Sequence, residues 1–203
     1  MDRVITYIDG YNLYFALKSR SWQKYYWLDI VRLSESITPK DSTFLRCKYF
    51  TARVNGGSVQ RRQSAYLEAL DTLDNLDIIY GRYAMRTRKC SICQQSFKSP
   101  EEKMTDVNIA VSMVSDGHKD NFDTAILISG DTDLIPPTRE LTNIGKRVIV
   151  AFPPHQAQHE SQKIKDACTS HFRIGEAKIR QSQLSNVVRG KNGYDIKKPA
   201  HWT

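Results

Sequence analysis

The sequence has few of the features that mark secreted or membrane proteins. Only four of its 203 residues are cysteines, and their uneven spacing does not suggest a disulfide framework. It contains no apolar run of about 18 residues, so we expect no transmembrane helix. Met1-Asp2-Arg3 leads directly into a strand-like segment, without the apolar region of a secretory signal. We therefore predict a cytoplasmic protein without a membrane partner.

Acidic residues are outnumbered by basic ones, 22 to 30, which gives a formal net charge of +8. A basic chain suits a polyanionic partner such as nucleic acid, although many basic proteins bind none. The chain also lacks a glycine-rich phosphate-binding loop. That absence and the positive charge disfavour a nucleotide or phosphoester enzyme.

Strand and helix patterns alternate along the chain, which predicts an α/β fold with a mainly parallel sheet and helices on both faces. The predicted strands cover residues 3–8, 42–51, 77–85, 124–128, 147–152 and a short stretch near 172. The predicted helices cover residues 11–17, 58–73, 103–115, a segment ending near 143, and 161–167. Residues 86–100 are predicted to form a basic loop. The chain turns polar and basic after residue 184, so we predict a domain over 1–184 and a loosely held tail over 185–203.

Four aspartates lie where predicted strands or helices begin or end. Asp9 follows one apolar run, Asp131 and Asp133 follow another, and Asp106 lies near the start of a helix. Parallel strands place their carboxyl ends at one sheet edge, where ligands bind. Carboxylates gathered there repel one another unless a hard cation lies between them. The pattern predicts a metal site.

Each aspartate also has a purely structural interpretation. Asp9, Asp131 and Asp133 could each occupy a turn or cap a helix. Asp106 could be favoured by the dipole of its helix. Lys103 is predicted on the same helical face as Asp106, where it could balance charge, contact phosphate or form an ordinary ion pair.

Three motifs together resemble the NYN domain, a branch of the PIN-like nuclease superfamily that includes the bacterial LabA-like proteins. They are Ile8-Asp9-Gly10-Tyr11-Asn12, Lys103-Met104-Thr105-Asp106-Val107-Asn108 and Leu127-Ile128-Ser129-Gly130-Asp131-Thr132-Asp133-Leu134. The likeness extends from about residue 4 to about residue 180. It implies a Rossmann-like three-layer α/β/α fold that cleaves RNA with Mg²⁺ or Mn²⁺. By motif position, the catalytic and metal-binding residues would be Asp9, Asp106, Asp131 and Asp133, supported by Asn12 and Ser129.

A cluster of cations and aromatic rings is a candidate surface for single-stranded RNA, with phosphates on the cations and bases on the rings. The alternative is a solvated strand edge with half-buried tyrosines. The residues are Arg82, Arg86, Arg88 and Lys89, with Tyr80 and Tyr83. A second aromatic group, Tyr25-Tyr26-Trp27, is predicted to serve packing.

Cys90-Ser91-Ile92-Cys93 has the spacing of a zinc knuckle. Structural zinc normally takes four ligands, and the chain has no second Cys-x-x-Cys. Cys47, Cys168, His118 or a second subunit would have to complete the site. A degenerate metal loop or an ordinary surface turn is the favoured interpretation.

Taken together, these features predict a ribonuclease that depends on a divalent metal. The rival interpretation is a non-catalytic RNA-binding or regulatory scaffold with the same fold. RNA is the expected partner, and a homodimer is compatible with either interpretation.

Overall fold

A computed structural model describes residues 1–154 and 161–202 of the chain. Its strands alternate with helices for most of the chain, as the sequence predicts. The strands are β1 (Asp2–Asp9), β2 (Ser42–Thr51), β3 (Leu76–Tyr80), β4 (Arg82–Lys89), β5 (Ser96–Lys103), β6 (Thr124–Ile128), β7 (Arg147–Phe152), β8 (Ser170–Arg173), β9 (Val187–Arg189) and β10 (Asp195–Lys197). The helices are α1 (Gly10–Ser19), α2 (Ile30–Ile37), α3 (Gly57–Leu70), α4 (Thr105–His118), α5 (Ile135–Asn143), α6 (Gln162–Ala167) and α7 (Glu176–Gln181). None of these helices is both long and apolar enough to cross a membrane.

The central sheet contains six parallel strands in the order β3-β2-β1-β6-β7-β8. From β1 the chain proceeds outward through β2 and β3, and it later returns to the other side of β1 to continue through β6, β7 and β8. The order therefore reverses between β1 and β6. In open α/β sheets, ligands bind beyond the carboxyl ends of the strands at such a reversal.

Side chains alternate between the two faces of the sheet and enter two separate cores. Ile8 on β1 packs in the core that includes Leu17 of α1 and Leu70 of α3. Tyr7, its neighbour, packs in the core that includes Met113 of α4 and Leu141 of α5. Helices thus cover both faces, which confirms the predicted Rossmann-like three-layer α/β/α fold.

The predicted strand over residues 77–85 is wrong because the chain leaves the central sheet at Gly81. The Gly81 N–H still donates to the Thr51 carbonyl (2.8 Å). A side chain at Gly81 would meet the Lys103 carbonyl and Thr105 Oγ1 at 2.7 Å. Here the chain turns into β4, which pairs antiparallel with β5 along its whole length. The predicted loop over residues 86–100 is therefore largely this hairpin.

The C-terminal segment, residues 185–202, also differs from the predicted loose tail. The strands β9 and β10 form a small antiparallel hairpin, and Ile196 and Trp202 are buried in the core under α1 and α3. The Trp27 indole N–H donates to the Ser185 carbonyl (2.7 Å). A few apolar side chains are sufficient to attach this basic segment to the core. The prediction failed because it used the average composition of the segment, which is polar and basic. Trp27 is fully buried, in line with the packing role predicted for residues 25–27.

Candidate metal centre

Asp9 ends β1 and caps α1, and its carboxylate is held from two sides. Its Oδ1 accepts from the Asn12 N–H (3.0 Å), and its Oδ2 accepts from the Ser129 hydroxyl (3.0 Å). Only 3% of Asp9 is exposed. The next residue must be glycine, because a Cβ at Gly10 would lie 2.7 Å from the Phe50 carbonyl oxygen. This close approach of β2 fixes where α1 begins.

The turn after β6 connects to the start of α1 through hydrogen bonds. Ser129 Oγ accepts from the Asp131 N–H (3.1 Å), and the Asn12 side-chain oxygen accepts from the Gly130 N–H (3.0 Å). Asp131 in turn accepts from the Asp133 N–H (2.9 Å) and caps a short 3-10 turn. Asn12 and Ser129, predicted as supporting groups, thus contact the loops that carry Asp9 and Asp131.

Asp106 reaches the same crevice from the first turn of α4. Met104 precedes that helix in a left-handed conformation with φ of 79°, which reverses the chain between β5 and α4. Glu102 caps the helix by accepting from the Thr105 N–H (3.1 Å) and from its hydroxyl. Asp106 is left without a hydrogen-bond donor from the described chain, and it points its carboxylate toward the ends of β1 and β6.

Three of the four predicted acids form one cluster. Asp9, Asp106 and Asp131 each offer a carboxylate oxygen, and these oxygens lie within 4.8 Å of one another. Burial raises the pKa of Asp9 to about 6, and the charges of Asp106 and Asp131 add to that rise. Burial likewise raises the pKa of Asp106 to about 6, with a further contribution from Asp131. Proximity and low solvation thus make the metal-free cluster unfavourable when it is fully charged.

The donor chemistry of this cluster fits a hard divalent cation, which prefers carboxylate oxygens. No lysine or arginine of the described chain forms an ion pair with Asp9, Asp106 or Asp131. The fourth predicted acid, Asp133, is exposed and lies outside the group, although its charge contributes to the raised pKa of Asp106. Asp133 is therefore at the edge of the cluster.

Lys103 is not on the helical face predicted for it. It is the last residue of β5, and its ammonium lies 3.3 Å from Glu101 Oε2. The prediction failed because α4 begins two residues later than the sequence pattern suggested. The ion pair anticipated between Lys103 and Asp106 is therefore wrong, and Lys103 pairs with Glu101 instead.

The predicted RNA-binding cations all lie on β4. Alternation along the strand places Arg82, Arg86 and Arg88 on one face and Lys89 on the other. Two of the arginines share Glu101 as an ion-pair partner, Arg86 at 3.1 Å and Arg88 at 3.9 Å. The positive charge on this face is therefore partly balanced within the hairpin.

Cys90 and Cys93 lie in the turn between β4 and β5. Hydrogen bonds from the backbone of Cys93 and Ile92 lower the pKa of the Cys90 thiol. Within residues 1–154 and 161–202, no histidine, acid or further cysteine joins the pair to make a group of three metal ligands. The structure therefore gives no complete zinc site there.

Two functional candidates were missed from the sequence. Glu102 is close enough to contribute to the electrostatics of Asp106, and Tyr11 contacts Tyr83 through their hydroxyl groups (2.5 Å). Tyr11 belongs to the motif that contains Asp9, but its partner on β4 could not be identified without knowledge of the β4–β5 hairpin. Glu102 lies between the predicted loop, residues 86–100, and the predicted helix, residues 103–115, so its capping role had no local signal.

Comparison with known proteins gives three findings. The family model described as the NYN domain matches residues 3–176. A relative from Pseudomonas putida, named 6-hydroxy-3-succinoylpyridine 3-monooxygenase HspA, is 27% identical over 238 aligned residues, which cover 98% of this chain and 75% of the relative. A crystal structure of a protein of unknown function from Vibrio parahaemolyticus has a TM-score of 0.56 and 17% identity, and the match covers 86% of this chain and 94% of that one. The last likeness supports the fold alone.

Proposed function

Because this chain belongs to the NYN-domain family, we propose that it hydrolyses phosphodiester bonds in RNA with Mg²⁺ or Mn²⁺. The observation that carries the proposal is the cluster of Asp9, Asp106 and Asp131 at the reversal point of the sheet. Three neighbouring carboxylates without a protein cation among them repel one another, so the charged cluster has an unfavourable electrostatic free energy. A bound divalent ion would make that arrangement favourable.

The residues of the chain have distinct roles in this proposal. Asn12 and Ser129 fix both oxygens of Asp9, so one ligand is oriented before any ion arrives. Asp131 is oriented by its own capping bond, and Asp106 is held by the start of α4. A bound ion would stabilise the negative charge that develops on the attacked phosphate and would lower the pKa of the attacking water. No serine, cysteine or histidine nucleophile is required.

The net charge of the chain supports RNA as the proposed substrate class. A net charge of +8 attracts a polyanion toward the protein even though the site itself is acidic. On β4, Arg82 and Lys89 are exposed and have no ion pair with a carboxylate of the described chain. They are the cations on this hairpin that we propose for phosphate contacts, with Arg86 and Arg88 available once released from Glu101.

The test is incubation of labelled single-stranded RNA and DNA with Mg²⁺, Mn²⁺ or EDTA. We expect metal-dependent RNA cleavage that Asp131→Asn abolishes. Asp29→Asn is the control, because Asp29 is also an N-cap, accepting from the Arg32 N–H (2.8 Å) at the start of α2, but lies outside the cluster. If Asp131→Asn cleaved RNA as Asp29→Asn does, the proposed site would be wrong. If the wild type bound RNA without cleaving it, the result would favour the non-catalytic scaffold.

A second candidate function is oxygenation of a hydroxypyridine. The name of the Pseudomonas putida relative, whose similarity extends over nearly the whole chain, favours it. In such a reaction one oxygen atom of O₂ enters the ring, and the other leaves as water with electrons from a reductant. Incubation with 6-hydroxy-3-succinoylpyridine, NADH and O₂ tests this candidate. NADH oxidation that depends on the pyridine would support it, and RNA cleavage without such oxidation would exclude it.

A further inference from the structure

A cavity of about 530 Å³ lies between α1, α3 and the C-terminal segment. Gly10 and Tyr11, which directly follow Asp9, form part of its wall. The cavity is therefore adjacent to the carboxylate cluster but is built from other side chains. Its volume falls within the range of roughly 300–1,000 Å³ that is typical of small-molecule sites. It can hold a ligand of about the size of one nucleotide.

Aromatic rings form most of the apolar wall of this cavity. Trp202 meets Tyr26 edge-on, with ring centroids 5.7 Å apart, and meets Tyr66 edge-on at 6.1 Å. Tyr14 lies 5.0 Å from Tyr26, and Phe15 continues the wall toward solvent. Such surfaces favour a flat ring, which gains both apolar burial and stacking contacts.

Among residues 1–154 and 161–202, the lysine and arginine that line the cavity are Lys18 and Arg62, and no aspartate or glutamate of these ranges lines it. His201 also lines the cavity. Within the described parts of the chain, neither Lys18 nor Arg62 forms an ion pair with a carboxylate. The Lys18 ammonium lies 5.8 Å from the centroid of the Phe15 ring. Cations beside aromatic rings that have no ion-pair partner favour a ligand with an anionic substituent. Gln23 and Thr51 add polar contacts for the edge of a heteroaromatic ring.

We propose that this cavity binds a flat heteroaromatic ring that carries a negatively charged group. The rings of Phe15, Tyr26 and Trp202 contact its faces and edges, and Arg62 pairs with its charge. A nucleotide and a free heteroaromatic carboxylate share this chemistry. For a free heteroaromatic carboxylate the proposal deepens the second candidate function, and for a nucleotide it goes beyond phosphodiester hydrolysis, because binding here requires no metal and no member of the carboxylate cluster.

The test is calorimetric titration of the metal-free protein in EDTA. One arm uses uridine and adenosine monophosphates, the other uses pyridine-3-carboxylate, and uridine and pyridine-3-carboxamide serve as uncharged analogues. We expect saturable binding in at least one arm, with the uncharged analogue about tenfold weaker because it lacks the charge-assisted contact. The arm that binds more tightly identifies the source of the ligand.

Two variants separate the cavity from other basic surfaces. Arg62→Gln should weaken binding about tenfold, whereas Arg61→Gln, on the same helix but outside the cavity lining, should not. Phe15→Ala should also weaken binding, and its exposed position on α1 leaves the fold intact. Asp131→Asn should bind as the wild type does, even if it cannot cleave RNA. Absence of saturable binding in both arms, normal binding by Arg62→Gln, or loss of binding in Asp131→Asn would overturn the proposal.

Discussion

Replacing Asp9 with asparagine should make the metal-free protein more stable at pH 8. The ordinary pKa of this carboxyl is 3.8, and burial together with the neighbouring carboxylates raises it to about 6 in the folded protein. That difference corresponds to about 3 kcal/mol. The stability that comes from protonated Asp9 is present below about pH 4 and is lost as the pH rises through 6. At pH 8 the folded protein therefore carries a costly charge.

Asparagine removes that charge and keeps the cap, since it is as good an N-cap residue as aspartate. Its amide oxygen can still accept from the Asn12 N–H, but its NH₂ group faces Ser129 Oγ, at a cost of about 1 kcal/mol. The expected net gain for Asp9→Asn is then about 2 kcal/mol at pH 8. Near pH 4 the charge is already neutralised, so only the loss of about 1 kcal/mol remains. The sign of the effect should reverse with pH.

Urea denaturation in EDTA at the two pH values measures this difference in the free energy of unfolding. Asp29→Asn is again the control, because it replaces a capping aspartate that has no place in the cluster, and its effect should not change sign. Addition of Mn²⁺ at pH 8 should stabilise the wild type by mass action and leave Asp9→Asn nearly unchanged. If Asp9→Asn lost as much stability at pH 8 as near pH 4, Asp9 would be only a cap, and the electrostatic argument would be refuted.

Three further variants probe the surrounding structure. Lys48→Met should cost about 2 to 3 kcal/mol in urea denaturation, because it removes the 2.7 Å ion pair from largely buried Asp116; a cost near zero would contradict this. Gly10→Ala should lower the melting temperature and abolish RNA cleavage, since its Cβ would displace β2. An unchanged melting temperature would contradict this, because it would mean that β2 can shift without loss of stability. Replacing Cys90 and Cys93 with serine should leave the melting temperature unchanged; stoichiometric zinc lost with stability would contradict that expectation.

The sequence was sufficient to predict the central sheet because its strands are short, continuous apolar runs. β2, β6 and β7 have the predicted bounds. β6 and β7 are buried on both faces, which makes their apolar runs continuous, whereas β2 keeps exposed Thr43 and Arg46 in its first half. The acids of the cluster could be found for the same reason, since Asp9 ends one such run and Asp131 follows another after Ser129 and Gly130. Their approach to Asp106 depended only on parallel strands and a crossover helix, which have few alternatives.

The remaining features depend on contacts between distant parts of the chain. Both strands of the β4–β5 hairpin consist mostly of polar residues. They lack the alternation of apolar and polar residues that would predict strands. The attachment of the C-terminal segment depends on single residues such as Trp202, whose partners Tyr26 and Tyr66 lie far away in the sequence. The aromatic cavity combines α1, α3 and that segment, and no local pattern predicts such a combination.

The position of Trp202 in the cavity wall has a consequence for folding kinetics. The contact between Trp202 and Tyr26 joins the two ends of the described chain, and such long-range contacts form late because chain closure must precede them. The central sheet can therefore assemble before the cavity is complete. We expect the same segment to open locally in the native protein without unfolding the sheet. A ligand in the cavity would oppose this opening, so amide hydrogen exchange in β9 and β10 would slow when the cavity is filled.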